Sequence, residues 1–118
     1  MKGRDKKAKT VVFALTERGL PLAEKIARSF GTVDVFEPRA LVSGGLKKEV
    51  SRAFRSAGAL IFISAVGIAV RCVAPLIKGK HTDPAVVVLD ERGRFAISLL
   101  SGHMGGANAL AEKAAKAL

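Results

Sequence analysis

The chain has no Trp and no Tyr, and aromatic residues make up only 5% of its 118 positions. A stacking platform for single-stranded nucleic acid needs aromatic side chains in series, so that class is poorly served. One cysteine, Cys72, excludes an intrachain disulfide and leaves no cysteine framework for a metal. It lies in the apolar run Ile68-Ala69-Val70-Arg71-Cys72-Val73, which reads as a buried structural thiol rather than a nucleophile. Long hydrophobic runs are missing too. The stretch from Ala59 to Val70 is broken by Ser64 and Gly67 and is too short for a bilayer. No apolar segment follows the basic start as a secretory signal requires. A soluble protein of a reducing cytoplasm is expected. Acidic residues are scarce: 10 Asp and Glu face 20 Lys and Arg, a net charge of +10.

What is present is aliphatic and patterned. Hydrophobic residues reach 49%, enough for a core built from Val, Ile, Leu and Ala. The first nine residues hold five Lys or Arg and one Asp, so residues 1–10 read as a basic flexible start and residues 11–118 as a single α/β domain. The body after the start stays basic and suits an anionic partner, either nucleic acid or a polycarboxylate or phosphate ligand. Val11 to Leu15 reads as a buried strand, and Pro21 opens a helix that Gly31 ends. Val33 to Phe36 is a short strand. A helix from about Leu46 to Ser56 turns Leu46, Val50, Ala53 and Phe54 to one side, with Gly58 as a cap. Ala59 to Ile63 is uniformly apolar, as a central parallel strand must be. Ser64 then caps a helix from Val66 to Leu76. Ala85 to Leu89 and Arg94 to Ser98, joined by the turn Asp90 to Gly93, read as an antiparallel hairpin. A last helix runs from Ala107 to about Ala117. This order predicts a three-layer α/β sandwich with a mainly parallel five-stranded sheet, strands one and three central and the hairpin at an edge.

Ligands of open α/β sheets sit beyond the carboxyl ends of the strands. On that rule the loops after strands one, three and five are the expected site. The segment Ser101-Gly102-His103-Met104-Gly105-Gly106 places three glycines where a helix opens, so a ligand can approach backbone N–H groups. Ser101 adds a hydroxyl and His103 a titratable imidazole; the plain alternative is a tight turn capped by His103. Ser64 to Arg71 is the second segment. There Gly67 admits a ligand to the backbone and Arg71 clamps a carboxylate, or Gly67 merely relieves helix–sheet crowding. Lys78 to Pro84 precedes a strand and is expected at the opposite end, with Asp83-Pro84 as turn chemistry and His81 at the surface. Nucleotide fingerprints, zinc patterns and a nucleophile elbow are not found.

Val66-Gly67-Ile68-Ala69-Val70-Arg71, Ala74-Pro75-Leu76-Ile77-Lys78, Thr82-Asp83-Pro84-Ala85-Val86-Val87-Val88, Gly93-Arg94-Phe95 and Leu99 to Asn108 stand in an order and spacing that resembles the N-terminal region of the CbiG proteins. The likeness covers about residues 59 to 112. It implies cobalt-precorrin 5A hydrolysis in anaerobic cobalamin biosynthesis: a ring lactone opens and a two-carbon fragment leaves as acetaldehyde. It implies no organic cofactor and no metal held by the protein, since the cobalt belongs to the anionic tetrapyrrole substrate. It also implies a C-terminal domain as partner. For that chemistry His103 is the candidate base, with Ser101 as water-orienting group or nucleophile. The N–H groups of Gly105 and Gly106 are candidate oxyanion donors. Ser64, Gly67, Arg71, Gly102, Gly105, Gly106 and Asn108 are the candidate substrate contacts. A non-catalytic tetrapyrrole-binding or interaction domain is the alternative, and a basic nucleic-acid binder a weaker one. A chain lacking residues 1–9 is expected to show no salt-dependent retention of nucleic acid in filter binding; tight retention after that deletion would return the basic body to the nucleic-acid class.

Overall fold

Three strands, β1 (Thr10–Ala14), β3 (Ala59–Ile63) and β4 (Ala85–Leu89), apolar at every position but Thr10, are buried along their whole length. Such strands need cover on both faces, and the intervening helices supply it. The structure is a computed structural model and describes residues 9–41, 45–79, 81–101 and 106–118. It adds β2 (Val33–Phe36) and β5 (Ala96–Leu100) to give one five-stranded sheet in the order β2-β1-β3-β4-β5. β2, β1, β3 and β4 are mutually parallel, and β5 runs antiparallel to β4. The expected three-layer sandwich, with β1 and β3 central and the hairpin at an edge, is the observed architecture.

Alternation along the strands divides the core in two. Val11, Phe13, Leu60, Phe62, Val86 and Val88 meet α2 (Gly45–Ser56) and α3 (Val66–Val73). Val12, Ala14, Ile61, Ile63, Val87 and Leu89 meet α1 (Leu20–Phe30) and α4 (Ala107–Ala117). Half of the six phenylalanines form one stack in the first core. Phe13 is in register with Phe36 on β2 and with Phe62 on β3, and its ring lies 5.3 Å and 5.2 Å from theirs. α1 carries Pro21 in its first turn and stops at Gly31, where φ is 87°. Among the described residues no helix is long and apolar enough to cross a membrane.

Three local expectations are corrected. β5 begins two residues later than Arg94, because the Asp90 carboxylate extends the turn: it accepts N–H bonds from Arg92 (3.3 Å) and Phe95 (2.7 Å). Ser64 does not cap α3. The N-cap is Ala65, without a side-chain bond, while the Ser64 hydroxyl donates to the Ala65 carbonyl at 2.9 Å and its N–H joins Leu89. Gly58 does not cap α2 either; its N–H donates to the Lys9 carbonyl at 3.0 Å and ties the helix exit to the start of β1.

Phe62 is fully buried and sits at one end of the ring stack. Phe62→Ala is expected to cost about 3–5 kcal/mol of stability in denaturant unfolding; a cost under about 1 kcal/mol would show that the stack does not anchor the core.

Candidate functional site

Parallel strands send their following loops to one end of the sheet. Here β1 is followed by β2 on one side, while β3 and β4 lie on the other, so the loops after β1 and β3 diverge. A switch point of this kind opens a crevice. Its volume is about 680 Å³, and its walls include Leu15, Thr16, Ser64, Ala65, Asp90 and Glu91. The Thr16 hydroxyl donates to Glu91 Oε2 at 2.7 Å and accepts the Gly19 N–H at 3.2 Å. Arg18 Nη1 stands 3.8 Å from Glu91 Oε1. Slight burial raises the Asp90 carboxyl, but the backbone N–H groups of Phe95, Arg94 and Arg92 outweigh it and hold the group below the usual carboxylate range. The crevice therefore presents two carboxylates, a poor reception for a polyanion.

Ser64 lines this crevice, with Gly67 and Arg71 on the exposed side of the adjoining α3. A Cβ on Gly67 would meet nothing nearer than Arg71 Nη1 at 4.0 Å. Gly67 therefore relieves no helix–sheet crowding. The crowded position is Gly19, where a Cβ would fall 2.7 Å from Ile63 Cγ2. That contact was not foreseen from sequence.

The loop after β5 goes elsewhere. Because β5 is antiparallel, its C-terminal end lies beside the start of β4, with Leu100 opposite Val86. Ser101 and Gly106 thus sit at the amino ends of the parallel strands, about a strand's length (roughly 17 Å) from Ser64. The expectation that Ser64–Gly67 and Ser101–Gly106 lie together at the carboxyl end of the sheet is overturned for Ser101 and Gly106, as is the separation of Ser101 from Lys78–Pro84. Ser101 has φ 61°, rare for a non-glycine residue, and donates its hydroxyl to the Asp83 carbonyl at 3.4 Å. Its own carbonyl accepts the Ala107 N–H at 3.0 Å. Gly106, with φ 84°, is the left-handed residue from which α4 starts, and Asn108 is exposed in its first turn. Gly102, His103 and Gly105 lie outside the described residues.

Asp83 joins these segments. Its buried carboxylate accepts the Lys78 N–H on both oxygens (3.1 and 3.0 Å) and the Gly79 N–H at 3.1 Å. Sequence reading assigned Asp83 to turn chemistry alone. The missed signal is that an acidic residue entering a buried strand must find N–H donors, which a Lys-Gly pair four and five residues earlier supplies. Beside it lies a groove of about 430 Å³ between α2 and the segment after α3. Cys72 takes no part. It is buried in the first core, where burial pushes its thiol up and Lys47 offsets only part of that, as a structural thiol requires. Among the described residues no group of three or more His, Cys, Asp or Glu is placed to hold a metal.

The family model described as cobalamin synthesis G N-terminal matches residues 48–118. A cobalt-precorrin-5A hydrolase from Salmonella typhimurium is 48% identical over 105 residues, covering 84% of this chain and 30% of its own length. Another from Priestia megaterium is 39% identical over 119 residues, covering 91% of this chain and 32% of its own length. This chain thus spans about a third of the curated relatives it matches. The fold is shared with a crystal structure of a cobalamin biosynthesis protein G homolog from Sulfolobus solfataricus, with a TM-score of 0.73 at 24% identity over 96% of this chain and 35% of that one.

Asp83→Asn keeps the shape but turns an N–H donor toward the Lys78 and Gly79 amides. It is expected to lower stability by about 1–3 kcal/mol in denaturant unfolding. Gly67→Ala is expected to be neutral or to stabilise by up to about 1 kcal/mol. An unchanged midpoint for Asp83→Asn would remove Asp83 from this role.

Proposed function

Because this chain belongs to the cobalamin synthesis G N-terminal family, we propose that it serves cobalt-precorrin-5A hydrolysis in cobalamin biosynthesis, the opening of the ring lactone with release of acetaldehyde. The observation that carries this reading is the 48% identity over 105 residues to a relative of that name. The match of residues 48–118 to the family model supports it, since that range includes both candidate segments. Lactone opening requires a base to take a proton from water and donors for the developing oxyanion. His103 is the proposed base, Ser101 the group that orients water, and the Gly105 and Gly106 N–H groups the oxyanion donors. Gly102 and Asn108 are proposed as substrate contacts beside them. Ser64, Gly67 and Arg71 are proposed to contact a different part of the substrate, since Ser64 and Ser101 lie at opposite ends of the sheet. The cobalt arrives with the substrate. The remaining length of the relatives is the proposed partner, and a reducing cytoplasm the proposed compartment.

A second reading, substrate binding without chemistry, is favoured by one observation: among the described residues the Ser101 hydroxyl donates to a backbone carbonyl, that of Asp83. Anaerobic incubation with cobalt-precorrin-5A separates the two, using this chain alone and a protein of the relatives' full length. His103→Asn and His103→Gln in the longer protein are expected to leave substrate affinity nearly intact and to lower acetaldehyde release about 100-fold, in the range of a lost general base. Unchanged turnover would assign the base elsewhere. Binding by this chain without acetaldehyde release would favour the second reading.

A further inference from the structure

The groove at the amino end of the sheet is lined by Phe54, Pro75, Leu76 and Ile77 together with Arg55, Lys78 and Asp83. The apolar wall is open to solvent at Pro75 and Ile77, the latter 47% exposed, and half-buried at Leu76, while Phe54 belongs to the buried core beneath it. Arg55 lies in the last turn of α2, and Lys78 directly follows Ile77. Neither makes an ion pair among the described residues, which is true of most of the described Lys and Arg; what sets these two apart is that they line this groove. Asp83 does not compete for them: its oxygens are engaged by backbone N–H groups, and it forms no salt bridge with either cation. Those same bonds fix the backbone at Lys78 and Gly79, so the lysine side chain leaves from a braced position. The Ser101 hydroxyl braces Asp83 in turn. An apolar wall with two unmatched cations suits a ligand that is flat and apolar in its body and carboxylated at its rim.

We propose that this groove holds a carboxylate-bearing edge of the tetrapyrrole, with the Arg55 guanidinium as a forked ligand, Lys78 as a point charge and Leu76 and Ile77 against the ring. The assignment rests on the substrate class named under Proposed function. It places the anionic rim at the end of the sheet that also carries Ser101 and Gly106. The crevice at the other end meets the same rim with Asp90 and Glu91.

The test uses cobalt uroporphyrin, a tetrapyrrole with eight carboxylates, titrated into this chain by absorbance. R55Q/K78Q is expected to weaken binding about tenfold, the loss of charge-assisted contacts at a half-open site. K25Q/R28Q removes the same charge from α1, on the other face of the sheet, and is expected to change binding less than about twofold. R55K/K78R, which keeps the charge, is expected to recover most of the affinity. Circular dichroism and melting establish that all variants fold. Equal weakening by both charge-removing pairs, wild-type binding by R55Q/K78Q, or no binding by the wild-type chain would each overturn the proposal. In a protein of the relatives' full length, R55Q/K78Q is expected to raise KM for cobalt-precorrin-5A with kcat little changed. A groove that binds cobalt uroporphyrin through Arg55 and Lys78, in a protein that releases no acetaldehyde, would sink the proposed reaction and leave the groove standing.

Discussion

The antiparallel pairing of β5 on β4 is the constraint on which the placement of every candidate residue depends. Four parallel strands commit their following loops to one end of the sheet. The turn from Asp90 to Phe95 is too short for a crossover, so the chain must reverse and run back along β4. That reversal carries Ser101 and Gly106 to the end where β1, β3 and β4 begin, beside the segment that leads into β4. It therefore divides the candidate residues into two groups. It also makes neighbours of Ser101 and Asp83, which the order of the chain does not suggest.

The two ends differ in charge as well as in position. The crevice at the carboxyl ends is built around Asp90 and Glu91, both needed locally. Asp90 shapes the turn into β5, and Glu91 holds Thr16 and faces Arg18. At the amino ends the buried acid, Asp83, is satisfied by N–H groups, and Arg55 and Lys78 line the groove beside it. Geometry at a switch point favours the first place for a ligand, whereas electrostatics favours the second for a polycarboxylate. For an anionic substrate the charge argument is the stronger: Arg55 and Lys78 line the amino-end groove beside Asp83, whereas the described lining of the crevice holds Asp90 and Glu91 and no Lys or Arg.

Beneath both ends is a core made with few aromatic residues. The Phe36-Phe13-Phe62 stack runs in register across β2, β1 and β3, and mostly aliphatic side chains, with Phe54 on one face and Phe30 at the margin of the other, fill the rest. Rigidity across the three strands fixes where Thr16 and Ser64 emerge. The amino-end segments rest on hydrogen bonds instead, through Asp83 and the strained backbone of Ser101. Strain at a non-glycine residue is kept only where surrounding bonds over-determine it, and here they include the start of α4.

Local pattern alone determined most of the architecture. Ala59–Ile63 and Ala85–Leu89 are apolar at every position, so they had to be covered strands, and the helical spacing of Leu46, Val50, Ala53 and Phe54 fixed the buried face of α2. The likeness carried by Val66 to Asn108 anticipated the family that residues 48–118 match. Which residues share a site was decided by the tertiary structure. The short hairpin was legible in sequence, yet its consequence, that the loop after β5 changes ends, is a statement about direction in space that spacing along the chain does not carry. Asp83 looked like a turn residue because its donors, Lys78 and Gly79, become partners only when the segment folds back on itself. Arg55 and Lys78 are 23 positions apart and line one groove only because α2 and the exit of α3 pack on the same face of the sheet. Sequence periodicity sets which face of each element is buried; the pairing and direction of the strands set which loops meet.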